Sequence, residues 1–186
     1  MKIAILGSGG REHAIAFSIS QSKKVKKIYC IPGNAGTSEI CENVFIDINK
    51  FEEIQKFLNK NNIDLVIVGP ENPLVNGIVD YLEKSNIRTF GPNRNASQLE
   101  GSKIFTKNLC KKYNIPTANF GVFKTIKDSK IFLENSQHPI VIKADNLAAG
   151  KGVYICENFK ESCFAVEEIF NGKFGDAKNV LIEEFL

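Results

Sequence analysis

A turn rich in glycine and lysine near residue 150 carries the strongest chemical signal in the chain. A β-branched run ends at Lys143, and a second apolar run resumes at Val153 after a loop that contains Gly150, Lys151 and Gly152. Glycine lets backbone N–H groups approach phosphate oxygens closely, and lysine ammonium groups neutralise their charge. The pattern therefore predicts a β-hairpin that holds the phosphates of a nucleoside triphosphate. A solvent-exposed hairpin whose lysines serve solubility is the alternative interpretation.

A second anion site is predicted near the N-terminus, where an apolar run ends in glycines. Gly9, Gly10 and Arg11 follow this run and open a helix. Their N–H groups are expected to be free at the positive end of the helix dipole, which suits a sugar phosphate. His13 lies one turn into the same helix, where we expect packing or helix capping rather than catalysis.

Three further predicted strands also end in turn residues, and we expect their loops to form one crevice with the first. The loops contain P-G-N-A-G at 32–36, G-P-E-N-P at 69–73 and G-P-N at 91–93. Ligands of open α/β sheets bind at the carboxyl ends of the strands. Asn34 and Glu71 lie in these loops, and Glu71 is expected to accept hydrogen bonds from ribose hydroxyls. Turn-rich loops are also ordinary in such folds, which is the alternative interpretation.

The first glycine loop matches the dinucleotide-binding fingerprint only in part. Its third position holds Glu12 instead of glycine, and no acid lies between Glu12 and Glu39 to bind the ribose of NAD. The sequence therefore argues against a nicotinamide-dependent dehydrogenase. That class stays open as an alternative that predicts NAD binding.

The elements that would position these residues alternate between strands and helices in the first half of the chain. Such alternation predicts a parallel sheet covered on both faces, in an α/β fold. Strands are predicted at 3–6, 27–31, 64–68 and 88–90, with a weaker one at 44–46, and helices at 12–20, 51–59 and 75–85.

A break near residue 101 separates this half from a small α+β module. We expect a parallel-sheet domain at 1–101 and the second module at 102–186. The last strand of this module is expected to leave an unpaired edge and an uncovered apolar face. Helices are predicted at 103–113, 127–134 and 161–170, and strands at 119–123, 140–143, 153–156 and 180–185.

Composition excludes several function classes. The 24 Lys and Arg residues exceed the 21 Asp and Glu residues by three, but they are spread along the chain, so no nucleic-acid partner is expected. No apolar run approaches the roughly 18 residues of a membrane span. The five cysteines form no C-x-x-C pair, which favours reduced, mostly buried thiols over a metal site or disulfide framework. We expect a cytoplasmic protein without a membrane partner.

Six motifs follow one another along the whole chain: G-S-G-G-R-E-H-A at 7–14, P-G-N-A-G-T at 32–37, V-G-P-E-x-P-L at 68–74, Q-L-E-G-S-K-x-F-T-K at 98–107, V-I-K-A-D-x-L-A-A-G-K-G-V at 141–153 and I-E-E-F-L at 182–186. In this order they resemble those of the phosphoribosylamine–glycine ligase family, also called glycinamide ribonucleotide synthetase, of the ATP-grasp superfamily. The resemblance implies a pre-ATP-grasp domain followed by the first part of an ATP-grasp domain, truncated before its second lobe.

The resemblance also implies a role for each matching residue. ATP phosphates would lie at two lysines under the glycine loop, adenine at the last strand, and the phosphate and ribose of 5-phosphoribosylamine at the first-domain loops. Asn146 stands where the family usually has glycine, and because asparagine tolerates positive φ we expect function to be intact there. The implied ATP-binding residues are Lys103, Lys143, Gly150, Lys151, Gly152, Glu183, Glu184 and Leu186, and the substrate-binding residues are Gly9, Gly10, Arg11, Asn34 and Glu71.

The implied reaction joins glycine to 5-phosphoribosylamine through glycyl phosphate, with ATP and Mg²⁺ or Mn²⁺. Its metal ligands and glycine pocket are expected after Leu186, so no catalytic or metal-binding residue is assignable here. We therefore expect the 186-residue chain alone to be inactive and its missing C-terminal half to be a possible partner chain. A non-catalytic fragment that binds sugar phosphate or nucleotide, or half of a split enzyme, is the alternative. The ligase assignment depends on the expectation that the Lys143 hairpin and the Arg11 turn are two anion receptors facing a shared cleft.

Overall fold

The computed structural model describes residues 1–145, 151–175 and 177–186. The chain divides into two compact units, Met1–Ser97 and Gln98–Leu186. Unit 1 contains strands β1 (Lys2–Gly7), β2 (Lys27–Pro32), β3 (Glu42–Asn43), β4 (Leu65–Val68) and β5 (Thr89–Phe90), and helices α1 (Gly10–Ser20), α2 (Ala35–Ser38), α3 (Phe51–Asn61), α4 (Glu71–Val75) and α5 (Ile78–Glu83).

The sheet of unit 1 is entirely parallel, with the strand order β3-β2-β1-β4-β5. Successive side chains of a strand point to opposite faces, so the continuous apolar run of β1 supplies two cores. Ala4 and Leu6 pack on the face covered by α3 and α5, where Ile54 is buried. Ile3 and Ile5 pack on the other face against Ala16 of α1. These contacts confirm the prediction of a parallel sheet between two layers of helices.

Two elements of unit 1 differ from the prediction. The single helix expected at 75–85 is interrupted at Gly77, whose φ of +91° suits glycine and ends the regular helix between α4 and α5. The third strand lies at Glu42–Asn43 rather than at 44–46. Val44 and Ile46 are instead partly buried against the core. Their apolar character reflects packing of a loop, which periodicity alone does not distinguish from a strand.

Unit 2 contains an antiparallel sheet covered by two helices on one face. Its strand order is β6-β9-β7-β8, and the core includes Ile142, Ile182 and Ile169. This confirms the predicted α+β module. The elements of unit 2 are α6 (Gln98–Gly101), α7 (Lys103–Lys112), β6 (Phe120–Phe123), α8 (Ile126–Glu134), β7 (Ile140–Ala144), β8 (Val153–Cys156), α9 (Phe159–Phe170) and β9 (Val180–Glu184).

The prediction that the last strand has an unpaired edge is wrong, because β9 lies between β6 and β7. The face of the sheet opposite α8 and α9 carries Val141, Lys143, Leu181 and Glu183, and we call it the lysine face. The same face includes Ile155, which is 56% exposed. The expected uncovered apolar surface of the last strand is limited to Phe185 and Leu186 just beyond β9, which are 48% and 88% exposed, because Val180, Leu181 and Ile182 of β9 itself are buried.

The cysteines form no disulfide, and two of the five, Cys30 and Cys156, are fully buried. Burial raises the pKa of the Cys30 thiol to about 12. Cys41, which is half-buried, lies with its Sγ 3.1 Å from Cys30 Sγ. Within the described part of the chain, no helix has both the length and the apolar character needed to cross a membrane.

Candidate functional site

The loops at the carboxyl ends of β1, β2 and β4 are hydrogen-bonded to one another. The Gly33 amide donates to Gly7 O at 3.1 Å, and the Gly69 amide donates to Leu6 O at 3.1 Å. Asn34 Nδ2 donates to Ser8 O at 2.8 Å. We call residues 7–11, 32–37 and 69–72 the loop cluster. It brings together all five residues predicted to bind the sugar phosphate: Gly9, Gly10, Arg11, Asn34 and Glu71.

Glu12 is a buried residue that holds the loop cluster in its conformation. Its side chain is buried, and its Oε2 accepts a hydrogen bond of 2.6 Å from the Gly9 amide. A Cβ added at Gly69 would lie 1.9 Å from Glu12 Oε1, so the carboxylate occupies space that only glycine leaves open. The prediction that the Gly9 amide is free is therefore wrong, because this amide already donates a hydrogen bond to Glu12.

The capping role of Glu12 can be recognised in the sequence. A glutamate three residues after the N-cap is the second half of a capping box, here with Gly9 as the N-cap. The dinucleotide fingerprint has a glycine at this position. Glu12, which stands there instead, completes the cap and fixes the turn between β1 and α1.

Arg11 and Glu71 form an ion pair at the rim of the loop cluster. Arg11 Nη2 lies 2.9 Å from Glu71 Oε1, and Nη1 donates to Gly69 O at 2.5 Å. The hydrogen bond from Arg11 lowers the pKa of the Glu71 carboxyl. The side chains are 58% and 41% exposed. The guanidinium is therefore aimed by Glu71, and an arriving phosphate would compete with that carboxylate for it.

Asn34 has a structural role in the cluster. Its side-chain oxygen accepts from the Thr37 amide at 2.9 Å, which caps α2, while its Nδ2 donates to Ser8 O. Gly36 leaves room for His13, because a Cβ there would lie 2.7 Å from His13 Cε1. His13 thus packs against the second loop, as its position in the helix predicted.

The phosphate site predicted in unit 2 lies at one end of the lysine face. Lys103 Nζ donates to Ala144 O at 2.9 Å, at the end of β7. Burial lowers the pKa of the Lys103 ammonium, and the positive charge of Lys143 lowers it further, against the opposing effect of Asp145. Lys143 Nζ contacts Glu183 Oε1 on β9. The fold therefore brings these two predicted phosphate-binding cations close together.

Asp145 is a residue of this site that sequence reasoning missed. Its carboxylate accepts hydrogen bonds of 3.1 Å from Ser102 Oγ and from the Ile104 amide, at the N-terminus of α7. This contact joins the end of β7 to the start of the helix that carries Lys103. The sequence placed an aspartate two residues after Lys143, but its partner is 41 residues away and no local pattern shows it.

The remaining residues of the predicted hairpin are described only in part. The Ala144 amide donates to Gly152 O at 2.9 Å, which closes the β7–β8 pair. Lys151 is exposed. The predictions for Gly150 and Asn146 fall outside the described residues.

Two of the three predicted adenine-binding residues, Glu183 and Glu184, are held by protein partners. Glu184 Oε1 accepts from the Asn119 amide at 2.8 Å, and Oε2 accepts from Asn119 Nδ2 at 3.0 Å; these hydrogen bonds lower the pKa of the Glu184 carboxyl. The Glu184 amide in turn donates to Asn119 O at 3.0 Å. Glu183 faces the lysines, and Leu186 is 88% exposed. The side chain of Glu184 thus stabilises the start of β6.

The described residues contain no group of three His, Cys, Asp or Glu side chains that could hold a metal ion. The Arg11 turn belongs to unit 1 and the Lys143 hairpin to unit 2. Their expected meeting in one cleft stays a prediction.

The succession of a parallel-sheet unit and a lysine-bearing antiparallel unit defines the class as that of ATP-grasp enzymes. An ADP complex of N5-carboxyaminoimidazole ribonucleotide synthetase shares this fold, with a TM-score of 0.79 and 17% identity over 100% of this chain and 47% of that one. The chain itself belongs to the phosphoribosylglycinamide synthetase family. The family's N domain matches residues 1–100, and its ATP-grasp (A) domain matches residues 101–186.

Relatives of this family match the whole chain. The phosphoribosylamine–glycine ligase of Clostridium acetobutylicum is 50% identical over 100% of this chain and 45% of its own length, and that of Mesorhizobium japonicum is 48% identical over 100% and 44%. The crystal structure of the Thermotoga maritima phosphoribosylamine–glycine ligase superposes with a TM-score of 0.81 at 32% identity, over 100% of this chain and 44% of that one. The chain thus spans a little under half the length of these relatives.

Proposed function

We propose that the chain forms the sugar-phosphate-binding unit and the first nucleotide-binding lobe of an ATP-dependent carbon–nitrogen ligase. The ligase would join glycine to 5-phosphoribosylamine and give glycinamide ribonucleotide, ADP and phosphate, in the cytoplasm. The observation that carries this proposal is the convergence of Lys103 and Lys143 at the end of β7. Family membership supplies the reaction. The remaining length of the relatives, in the same polypeptide or a separate one, would be the structural partner of this part.

The chemistry proceeds in two steps. A carboxylate oxygen of glycine attacks the γ-phosphorus of ATP, ADP leaves, and glycyl phosphate forms. The amine of phosphoribosylamine then attacks the glycyl carbonyl carbon, phosphate leaves with the bonding electrons, and the nitrogen loses a proton. Negative charge builds on the phosphoryl oxygens in the first step, where preorganised cations stabilise it most. Bound Mg²⁺ or Mn²⁺ would neutralise the same oxygens, and we assign it no ligand among the described residues.

In unit 2 we assign the ATP phosphates to Lys103 and Lys143. Lys143 would exchange Glu183 for a phosphate oxygen, while Lys103 is held at its place by Ala144 O. Lys151 lies just before β8 in the same hairpin and is exposed, which suits a residue that contacts the phosphates. The adjoining glycines, Gly150 and Gly152, would let that loop approach closely, and adenine would lie near Glu183, Glu184 and Leu186.

In unit 1 we assign the phosphate of phosphoribosylamine to the N-terminus of α1 and to Arg11. An arriving phosphate would draw the guanidinium away from Glu71, whose carboxylate could then accept hydrogen bonds from ribose hydroxyls. One ligand would thus satisfy both partners of the exposed ion pair. Gly9 and Asn34 would support the site mainly through the loop conformation, because the Gly9 amide and the Asn34 side chain are already hydrogen-bonded. Gly10, the first residue of α1, would offer its amide to the phosphate.

Calorimetric titration of the chain with ATP tests the nucleotide site. We expect Lys143→Met to weaken binding by roughly tenfold or more, the loss typical of one charge-assisted contact. Lys127→Met is the matched control, since Lys127 is an exposed lysine of α8, on the other face of the sheet. Equal ATP affinity in the two variants, or no ATP binding by the unaltered chain, would overturn the assignment.

Ribose 5-phosphate, a stable analogue of the proposed sugar phosphate, tests unit 1 separately. Arg11→Met should weaken its binding by a similar factor, whereas Lys56→Met on the exposed face of α3 should leave it unchanged. Binding that is indifferent to Arg11 would place the sugar phosphate elsewhere.

A further inference from the structure

Lys107 of α7, the last residue of the motif at 98–107, is a buried lysine to which neither the resemblance nor the proposed reaction assigns a role. Its side chain is 11% exposed. Its Nζ donates to Thr117 Oγ1 at 2.8 Å and to Ala118 O at 3.0 Å. The same ammonium lies 2.6 Å from Glu183 Oε2 and 5.4 Å from the centre of the Phe120 ring. These contacts fix the charge of Lys107 firmly on the lysine face.

Glu183 is shared by two lysines that differ in exposure. Its Oε1 contacts Lys143, whose side chain is 26% exposed, and its Oε2 faces the more deeply buried Lys107. Oε2 lies 2.6 Å from Lys107 Nζ in an ion pair and has no other polar partner among the described residues. The three groups together carry one net positive charge. Lys107 is the anchored cation, and Lys143 is the cation that can reach solvent.

The ion pair between Lys107 and Glu183 lowers the energy needed to move Lys143 from Glu183 to another anion. Glu183 is 5% exposed, and a buried carboxylate that loses its only counter-ion is strongly destabilised. With Lys107 in place, Glu183 keeps a partner after Lys143 has left. Without Lys107, Glu183 would hold Lys143 and would oppose its transfer to phosphate.

We propose that Lys107 is a positioning residue that neutralises Glu183 and thereby releases Lys143 for a polyphosphate ligand. The inference rests on the proposed nucleotide site and adds to it the residue that sets the availability of its lysine. Lys107 acts through Glu183 and does not itself touch the ligand.

The competing role for Lys107 is purely structural, as a hydrogen-bond donor to Thr117 and Ala118. Two substitutions separate the roles. Lys107→Gln keeps an N–H donor and removes the charge, whereas Lys107→Arg keeps the charge. A charge-balancing role predicts that arginine preserves function and glutamine does not. A hydrogen-bonding role predicts that glutamine preserves it as well.

The experiment titrates inorganic tripolyphosphate into the 186-residue chain by calorimetry at low salt. We expect Lys107→Gln to weaken binding by roughly tenfold, and Lys107→Arg to stay within about twofold of the unaltered chain. In a Glu183→Gln background there is no carboxylate to balance, so adding Lys107→Gln should change binding by less than about twofold. A loss larger than about twofold in this background would show that the charge of Lys107 acts other than through Glu183 and would overturn the inference, even if Lys107→Gln alone folds poorly.

A second measurement needs no ligand. Competitive acetylation with acetic anhydride, read by mass spectrometry, reports how freely each lysine presents an unprotonated amine. Loss of the Lys107 charge should bind Lys143 more tightly to Glu183, so acetylation of Lys143 should slow relative to Lys127. Lys107→Arg should leave the ratio unchanged.

The outcomes separate this inference from the proposed function. If the unaltered chain binds tripolyphosphate, and Lys107→Gln changes neither that binding nor Lys143 acetylation, the role of Lys107 is overturned while the nucleotide site stands. If the unaltered chain binds neither ATP nor tripolyphosphate, the proposed function fails, and slower Lys143 acetylation in Lys107→Gln still supports the coupling of the two lysines.

Discussion

At the scale of single residues, the loop cluster depends on how Glu12 fits between glycines. Its carboxylate caps α1 through the Gly9 amide and occupies the space beside Gly69. We expect Gly69→Ala to force this buried side chain out of place and to reduce the free energy of unfolding by about 1–3 kcal/mol, the usual cost of overpacking. Urea denaturation followed by circular dichroism measures the change.

Gly10→Ala is the control for that substitution. A Cβ added at Gly10 meets no atom within 4 Å, and the residue lies in the first turn of α1. The control should therefore keep or slightly raise stability, since alanine favours helix over glycine. Equal stability of the two variants would show that Glu12 relaxes without cost.

The Arg11–Glu71 pair predicts a specific dependence on pH. The hydrogen bond from Arg11 lowers the pKa of Glu71 below its ordinary 4.5 in the folded chain. The folded state therefore binds fewer protons at this carboxyl than the unfolded state does. The pair's contribution to stability is present above about pH 4.5 and is lost as the pH falls through the folded pKa. Because the pair is largely exposed, the contribution is small.

NMR titration of the Glu71 carboxyl carbon measures this effect directly. Arg11→Met should raise the pKa of Glu71 toward its ordinary value, while Lys50→Met, which removes a pair with Glu53 in α3, should leave Glu71 unaffected. An unchanged titration of Glu71 in Arg11→Met would mean that the pair does not form in solution.

The types of the site residues were predictable from sequence, but their pairings were not. Glycine, lysine and arginine at 9–11 and 143–152 predicted anion sites through the chemistry of those residues. The sequence could not show that Arg11 is paired with Glu71, or Lys143 with Glu183, because these partners lie 60 and 40 residues apart along the chain. Coulombic pairing depends on distance in the fold, which only the structure provides.

At the scale of elements, helices were predicted best where a cap residue precedes an amphipathic run. Ser102 and Thr125 each accept a hydrogen bond from the third residue of the helix that follows, and the predictions for α7 and α8 lie within one residue of the observed bounds. Gly77 interrupted a pattern that looked continuous. The pairing of β7 with β8 was predicted as a hairpin, but the place of β9 between β6 and β7 was not, because β6 and β9 pair across most of unit 2.

The central position of β9 makes a prediction about the core of unit 2. Ile182 is fully buried between the sheet and its helices, so Ile182→Ala should cost about 2–5 kcal/mol of unfolding free energy. Val122→Ala, on the edge strand β6 where the side chain is 37% exposed, should cost less than about 1 kcal/mol. Urea denaturation of the two variants gives the comparison. Similar losses would contradict the central placement of β9.

At the scale of the whole chain, the two units have separate hydrophobic cores. Among residues 1–145, 151–175 and 177–186, the clusters around Leu6 and Ile5 draw on unit 1 alone, and the cluster around Ile142 draws on unit 2 alone. The chemistry is divided in the same way, with the proposed sugar-phosphate loops in one unit and the proposed nucleotide lysines in the other. Each half of the site can therefore be tested with its own ligand.

Turnover requires groups that stabilise the charge developing on the transferred phosphoryl oxygens. The chain spans a little under half the length of the ligases that it matches, so we expect the 186-residue polypeptide to release no ADP above background from ATP, glycine and phosphoribosylamine with Mg²⁺, although it binds ATP. A coupled ADP assay with calorimetry on the same preparation makes the measurement. ADP release that requires both glycine and phosphoribosylamine would show that these residues suffice for the complete reaction.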